Sequence, residues 1–499
     1  MLMVRETRLW ILVMGLVGLL AVQVHAKTPG PDPTLVNPIG LGSNYTGPVK
    51  AGLGITHTDT LYGIAAGEFV IQPRFLMETE LTSNFFKVDT RNLDTEETLA
   101  FNLHLRPGVG ISNPNASSVK LNFTTDLDVL VPLSGDEAVT DQTNVGVESR
   151  AAVTFTLKRL MSFTLKENFW RDLLVRPLSA GGGESHRNRN SVGLDMTFHP
   201  GGGALVFELG YDWEIVLYDS LVQLDDNQHK LRFMTSWRFL PLNYAFLEAS
   251  VGIQSYLEDL TAEEAATTGN RVGGMPLRVY GGFSGYLTNR IAVMLRVGYG
   301  NSLLDSGDDF SSFIGDMRVS FRFTPRTALH VGGGRSFSLA GLGGFLDKTG
   351  AYVSFEQSLA DLVLLHLDVG FDYQVYGEWS PANSQSSSAD GPDYQTCARA
   401  VLEGSSENGA FTIADCDTKT ALARQDYIFK AGLLADFEIS RVFGLSLGYR
   451  FHMDMTDFGV ESVTFQDFGA GIVDTVSGPS TVFQGYTDHR VFLTLNLRY

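Results

Sequence analysis

From Phe69 onward, hydrophobic and polar residues alternate with a period of two along most of the chain. Phe69, Ile71, Phe75, Met77 and Leu81 interleave with Gln72, Arg74, Glu78 and Glu80. Val119, Leu121, Phe123, Leu127 and Val129 interleave with Lys120, Asn122, Asp126 and Asp128. Leu205, Phe207, Leu209, Tyr211, Trp213 and Ile215 alternate with Glu208, Asp212 and Glu214, and Val363, Leu365, Leu367, Val369 and Phe371 with His366, Asp368 and Asp372. This is the period of a β-strand whose two faces meet different surroundings. A soluble sheet has no need of Asp and Glu this often on its inward face. A membrane barrel does, because its inside is wet and its outside lies in oil.

The alternating segments number about eighteen, with sixteen as the runner-up because the first two pairs are the least regular. Their connections alternate in length. Short ones fall at 199–203, 240–243, 288–289, 324–326, 360–361 and 440–441; long ones fall at 258–275, 301–312, 377–424 and 454–485. Short turns on one rim and long loops on the other are the habit of bacterial barrels. Cys397 and Cys416 share one long external loop, with no His between them, and are expected to form a disulfide.

The amino terminus predicts export. Arg5 and Arg8 precede an apolar run from Leu9 to Val22, and Val24-His25-Ala26 offers a small-residue cleavage site. Residues 1–26 are therefore expected to be a secretory signal peptide. Residues 27–66, rich in Gly, Pro, Thr and Asn, are read as an irregular periplasmic or luminal lead-in, and 67–499 as the barrel. No later apolar run reaches the length of a membrane-spanning helix, and only a closed barrel satisfies every backbone group in lipid without helices.

At the other end, Val491, Leu493, Leu495, Leu497 and Tyr499 share one face of a last strand. Arg490, Thr494, Asn496 and Arg498 share the other, interrupted by Phe492. This resembles the closing strand of a Gram-negative outer-membrane β-barrel of the porin-like channel class. The resemblance is to a class, with no family-specific signature. It implies an integral outer-membrane location, lipid and lipopolysaccharide surroundings, and recognition of the terminal aromatic strand by the barrel-assembly machinery.

Composition agrees. The 499 residues include 53 Gly, 33 Phe and 17 Tyr, suited to tight barrel backbone and interfacial girdles. A formal charge of −19 argues against a nucleic-acid partner. Acidic loop stretches such as Asp305-Ser-Gly-Asp308-Asp309 read as solvated, with cation bridging to lipopolysaccharide as the sharper alternative. No HExxH, Walker or GxSxG motif is present, and no Ser/His/acid set can be assembled. No enzyme activity, cofactor or metal is expected.

The inward parity carries the mechanistic content. Lys230, Arg232, Arg238, Arg278, Arg296, Arg318 and Arg322, with Arg335 beside them, form an expected basic wall in which Glu248 is the main acid. Glu208, Asp212 and Glu214 on one side, and Glu356, Asp368, Asp372, Asp436 and Glu438 on the other, form acidic walls. Opposed walls order water and set ion preference. The expected function is a passive channel for uptake or export of small hydrophilic solutes. The alternatives are a lumen blocked by residues 27–66 or by the infolded 377–424 loop, and a non-conducting surface barrel whose loops 377–424 and 454–485 bind an external partner.

Overall fold

A strand greasy on one side and polar on the other must bury both faces differently and pair both edges. Eighteen such strands do so by closing a ring. The computed structural model describes residues 63–84, 99–134, 143–157, 160–175, 185–200, 203–219, 225–257, 272–340, 344–359, 362–377, 425–440, 442–456, 459–462, 480–483 and 486–498. The expected signal peptide, most of the lead-in, both cysteines and Tyr499 lie outside these residues.

The barrel strands are β1 (Phe69–Thr82), β2 (Ala100–Ser112), β3 (Val119–Pro132), β4 (Asn144–Leu157), β5 (Met161–Val175) and β6 (Ser185–Phe198). They continue as β7 (Leu205–Tyr218), β8 (Asp226–Leu240), β9 (Asn243–Tyr256), β10 (Leu277–Thr288), β11 (Ile291–Asn301) and β12 (Ser311–Thr324). The last third is β13 (Thr327–Leu339), β14 (Phe345–Leu359), β15 (Val363–Tyr376), β16 (Gln425–Glu438), β17 (Phe443–Thr456) and β18 (Tyr486–Arg498). Each pairs antiparallel with the next, and β18 pairs with β1, so no strand has a free edge. A short strand, Ile64–Ala66, folds back on β1, which shortens the irregular lead-in expected up to residue 66. A small hairpin, Gly459–Ser462 with Ser480–Phe483, stands in the last long loop.

The register fixes the dimensions. Carried once around the ring, it returns to β1 displaced by about 22 residues, so the strands tilt roughly 40° from the axis. At that tilt a ring of this many strands is roughly 35 Å across between backbones, too wide for side chains alone to fill. Eight of the connections form a rim of short turns, and the remaining, mostly longer, ones open on the other rim, as expected. The β2 ladder runs to Ser112, with Gly108 and Gly110 paired to both β1 and β3.

One parity faces out and is apolar: Phe75, Leu81, Leu127, Leu165, Leu209, Leu231, Leu247, Leu295, Leu367, Leu433, Leu447 and Leu493 are all exposed. The other faces in and is polar. Even Phe492, which breaks the alternation of β18, has an inward role. It pairs with Gly448 of β17, covers the space a side chain there would fill, and lies under Arg450, 4.4 Å from guanidinium to ring centre. The same glycine–aromatic pairing recurs at Gly332–Tyr352, Gly282–Phe246 and Gly298–Tyr280. An aromatic ring laid over a cross-strand glycine restores the packing the glycine lacks and pins the register.

The closing seam is polar on its inner side. Thr82 Oγ1 donates to Asp488 at 2.6 Å, Arg490 bridges Asp488 at 2.6 Å and Glu80 at 3.6 Å, and Thr494 Oγ1 donates to Glu78 at 2.8 Å. Asp488 is 1 % exposed, so its charge is held by those donors rather than by solvent.

Gly448→Val places a branched side chain against the Phe492 ring and is expected to destabilise the barrel by about 1–3 kcal/mol. The urea midpoint of the folded, heat-modifiable species reports it. Adding Phe492→Ala should recover part of the loss; a double variant no better than the single would remove the pairing as the cause.

Candidate functional site: the lumen wall and its infolded hairpin

Charged side chains line the inward parity, and register decides which of them meet. In several places an inward glycine lies between two strands that carry opposite charges. Arg74, Gly108 and Asp126 share one row across β1–β3, with Arg74 Nε 2.6 Å from Asp126. Lys166, Gly193 and Asp212 share another across β5–β7, at 2.8 Å. Asp195, Gly210 and Arg232 form a third across β6–β8, at 3.1 Å, and Asp368, Gly432 and Arg450 a fourth across β15–β17. Strands are about 4.8 Å apart, so alternate strands are roughly 10 Å apart, a span two long side chains cover only over a bare backbone. A Cβ at Gly210 would lie 2.7 Å from Asp195 Oδ1, and one at Gly432 2.6 Å from Asp368 Oδ1.

Apart from Arg335, the sequence-expected lumen residues stand on the inward parity. Lys230, Arg232 and Arg238 stand on β8, Arg278 on β10, Arg296 on β11, and Arg318 and Arg322 on β12. Glu208, Asp212 and Glu214 stand on β7, Glu356 on β14, Asp368 and Asp372 on β15, and Asp436 and Glu438 on β16. The walls are less segregated than expected. Asp316 lies 2.5 Å from Arg296, which also reaches Glu248 at 3.4 Å. Lys348 and Lys430 clamp Asp372 at 3.0 and 2.9 Å. A third charged network, absent from the expected set, joins Glu78, Arg106, His104 and Asp128 on β1–β3. These partners were present in the sequence at the right parity; only the register shows that they meet.

Four members of the expected basic wall stay outside the ion-pair network. Among the described residues, Lys230, Arg238, Arg278 and Arg322 make no ion pair. Ser250 of β9 pairs with both Arg232 and Arg278, and Lys230 is one inward position from Arg232, so three cations gather on one stretch of wall.

Beside that stretch the barrel departs from a plain cylinder. The β12–β13 ladder ends at Gly315–Arg335, although both strands continue. Beyond Gly332-Gly333-Gly334, the tip of the β13–β14 hairpin leans inward over β12. Phe337 has outward parity, yet it is 4 % exposed and its ring fills the space over inward Gly300 on β11. It stacks on Phe310 with ring centres 4.4 Å apart, and Phe345 meets Phe310 edge-on at 5.7 Å. Tyr280 and Ile314 complete an apolar cluster on the inner wall. Arg278 holds the tip twice: its guanidinium lies 4.3 Å from the Phe337 ring centre, and Nη2 donates to the Phe337 carbonyl at 2.8 Å. Arg335 binds Asp347 at 2.7 Å and donates to Ser312 at 2.8 Å.

Arg335 therefore needs correction. It does not belong to the inward parity of the basic wall; it reaches the lumen side because its hairpin folds over. The triple glycine is the readable signal, since it removes side chains from the strand where the tip must pass close to β12. At Gly334 a Cβ would sit 2.6 Å from the Gly315 carbonyl.

No family model matches the chain, and no curated protein matches it. Solved structures do. The outer membrane protein OpdK of Pseudomonas aeruginosa is 8 % identical over 86 % of this chain and 99 % of its own, with a TM-score of 0.42. OccAB3 of Acinetobacter baumannii is 9 % identical over 86 % and 99 %, at 0.42. The siderophore receptor PirA of Pseudomonas aeruginosa is 8 % identical over 86 % and 80 %, at 0.40. Likeness at this level says nothing about which solute crosses this barrel. A closed eighteen-strand ring, with an apolar exterior, a charged interior and short turns on one rim, has the architecture of an integral outer-membrane β-barrel.

Proposed function

We propose that the barrel is a passive channel for small hydrophilic solutes, with preference for anions, and that the infolded β13–β14 hairpin is its constriction. The observation that carries this reading is the group of cations left unpaired beside the hairpin. Most lumen charges are neutralised by a neighbour across one strand, which flattens them against the wall. Lys230 and Arg278 make no ion pair, although Asp212 lies across from Lys230 and Glu248 faces both, and Arg278 is fixed in place by Phe337. A fixed cation held outside any ion pair at a narrowing is the arrangement that sets ion preference. The hairpin supplies the narrowing that a ring this wide needs before it can discriminate among small solutes. The belt of outward Leu, Phe and Tyr meets lipid directly. Contact of the long-loop rim with lipopolysaccharide, and handling of the Val491–Leu497 face by the assembly machinery, belong to the same reading.

Refolded protein in a planar bilayer should give stable single-channel steps, and a salt gradient should give a reversal potential of the anion-selective sign. Lys230→Gln with Arg278→Gln should move that potential toward zero. A folded barrel that passes no current would end the channel reading in favour of a blocked lumen or a loop-presenting scaffold.

Replacing residues 336–347 by a short Gly-Ser turn removes the hairpin tip at the loss of only the last two β14–β15 pairs. Unit conductance should rise and anion preference weaken. Unchanged conductance would place the constriction elsewhere.

A further inference from the structure

The outer face carries one violation of its own rule. On β5, Met161, Phe163, Leu165 and Phe169 face out, and so does Glu167, close to mid-strand. Its sidedness follows from Lys166, which points inward to Asp195 and Asp212 at 3.0 and 2.8 Å. Among the described barrel residues, Glu167 is the only carboxylate at an outward position in the middle of a strand. It is not alone in being polar there. Thr125 of β3 pairs with Ser149 of β4, which pairs with Phe169 of β5, which pairs with Asn190 of β6. Glu167 pairs with Ala151 and Val192, so it is diagonal to both Ser149 and Asn190. Thr125, Ser149, Glu167 and Asn190 thus make a polar stripe across β3–β6. The Oδ1 atom of Asn190 is buried with no hydrogen-bond partner. Among the described residues, Thr125, Ser149 and Glu167 have none either.

Acyl chains offer no donor to a carboxylate and no partner to an amide, so a polar side chain at mid-depth is costly there. The cost falls when another protein face supplies the missing partners. The stripe contains its own complement: Glu167 accepts, and Thr125, Ser149 and the Asn190 amide N–H donate. A face holding matched donors and acceptors satisfies itself across a rotation axis, the condition for an isologous contact. Its centre is also slim: Ser149 and Ala151, beside Glu167, let two walls approach closely there.

We infer that the outer wall of β3–β6 is an interface between two copies of this chain, joined at mid-membrane by hydrogen bonds among Glu167, Asn190, Ser149 and Thr125. The inference does not depend on whether the lumen conducts. Copies turned about an axis along the membrane normal keep Glu167 at one depth, so its carboxylate meets the partner's stripe and not its lipid.

Light scattering after chromatography in a mild detergent tests it with the full mature chain. The unaltered protein should run as an oligomer. Glu167→Leu with Asn190→Leu should run as a monomer that still folds, because a leucine is at home on the belt. Ala151→Phe, which leaves the polar groups in place and obstructs close approach, should also weaken association. Leu295→Ala, on a distant outward face, should leave it intact. A monomeric unaltered protein overturns the inference, whether its stripe then holds detergent, lipid or another protein. So does an oligomer that survives both stripe variants.

Discussion

Closure of the ring is the constraint on which everything else depends. In the bilayer no water can satisfy an open strand edge, so β1 must find β18 across more than four hundred residues of chain. The register at that seam is set by side chains as well as by the ladder. Asp488, almost fully buried, accepts from Thr82 across the seam, and Arg490, which it binds along its own strand, reaches across to Glu80 of β1. Slipping the pairing by one residue would turn Val491, Leu493, Leu495 and Leu497 into the lumen and Arg490 into lipid. The seam is thereby specified from both faces at once.

Closure also explains how the interior handles its charges. The lumen is too wide to be packed, so charged groups cannot be buried against an opposite wall. They are laid sideways instead, across a glycine, to a strand two places away. Gly108, Gly193, Gly210 and Gly432 serve as lanes for these bridges, while Gly332, Gly282, Gly298 and Gly448 accept aromatic rings. The abundance of glycine therefore has two uses within one wall, both requiring an inward position with nothing on it.

Strand number, order and sidedness were legible because a period of two states directly which residues touch oil. The inward position of the lumen charges other than Arg335 followed from the same parity. What was not legible is what a single strand cannot encode. Arg74 and Asp126 lie 52 residues apart and meet only through Gly108, so their pairing is a property of three registers combined. Arg296 looked like part of a free basic wall until β12 brought Asp316 beside it. Phe337 obeyed the alternation and was still misplaced by it, since the hairpin tip leaves the cylinder. There the sequence did carry a sign, three consecutive glycines, but period-two reasoning treats them as strand. Glu167 was equally visible as a parity violation, and parity violations inside a regular pattern are where a sequence departs from its fold for a separate reason.

The two departures stand in a definite relation. The polar stripe on β3–β6 and the infolded hairpin of β13–β14 lie half-way around the ring from each other. A contact through the stripe would thus turn the hairpin side of each barrel away from its neighbour. The hairpin's grip on the wall is local: Arg278, Phe310 and Ile314 hold it, and all belong to β10–β12 and the loop between them. Neither feature needs the other to form. The barrel can therefore associate through one wall while the opposite wall, with its glycine run and aromatic anchor, sets the width of the passage. A cylinder closed on itself makes that division possible, because each strand is held by its two neighbours and transmits little to strands far around the ring.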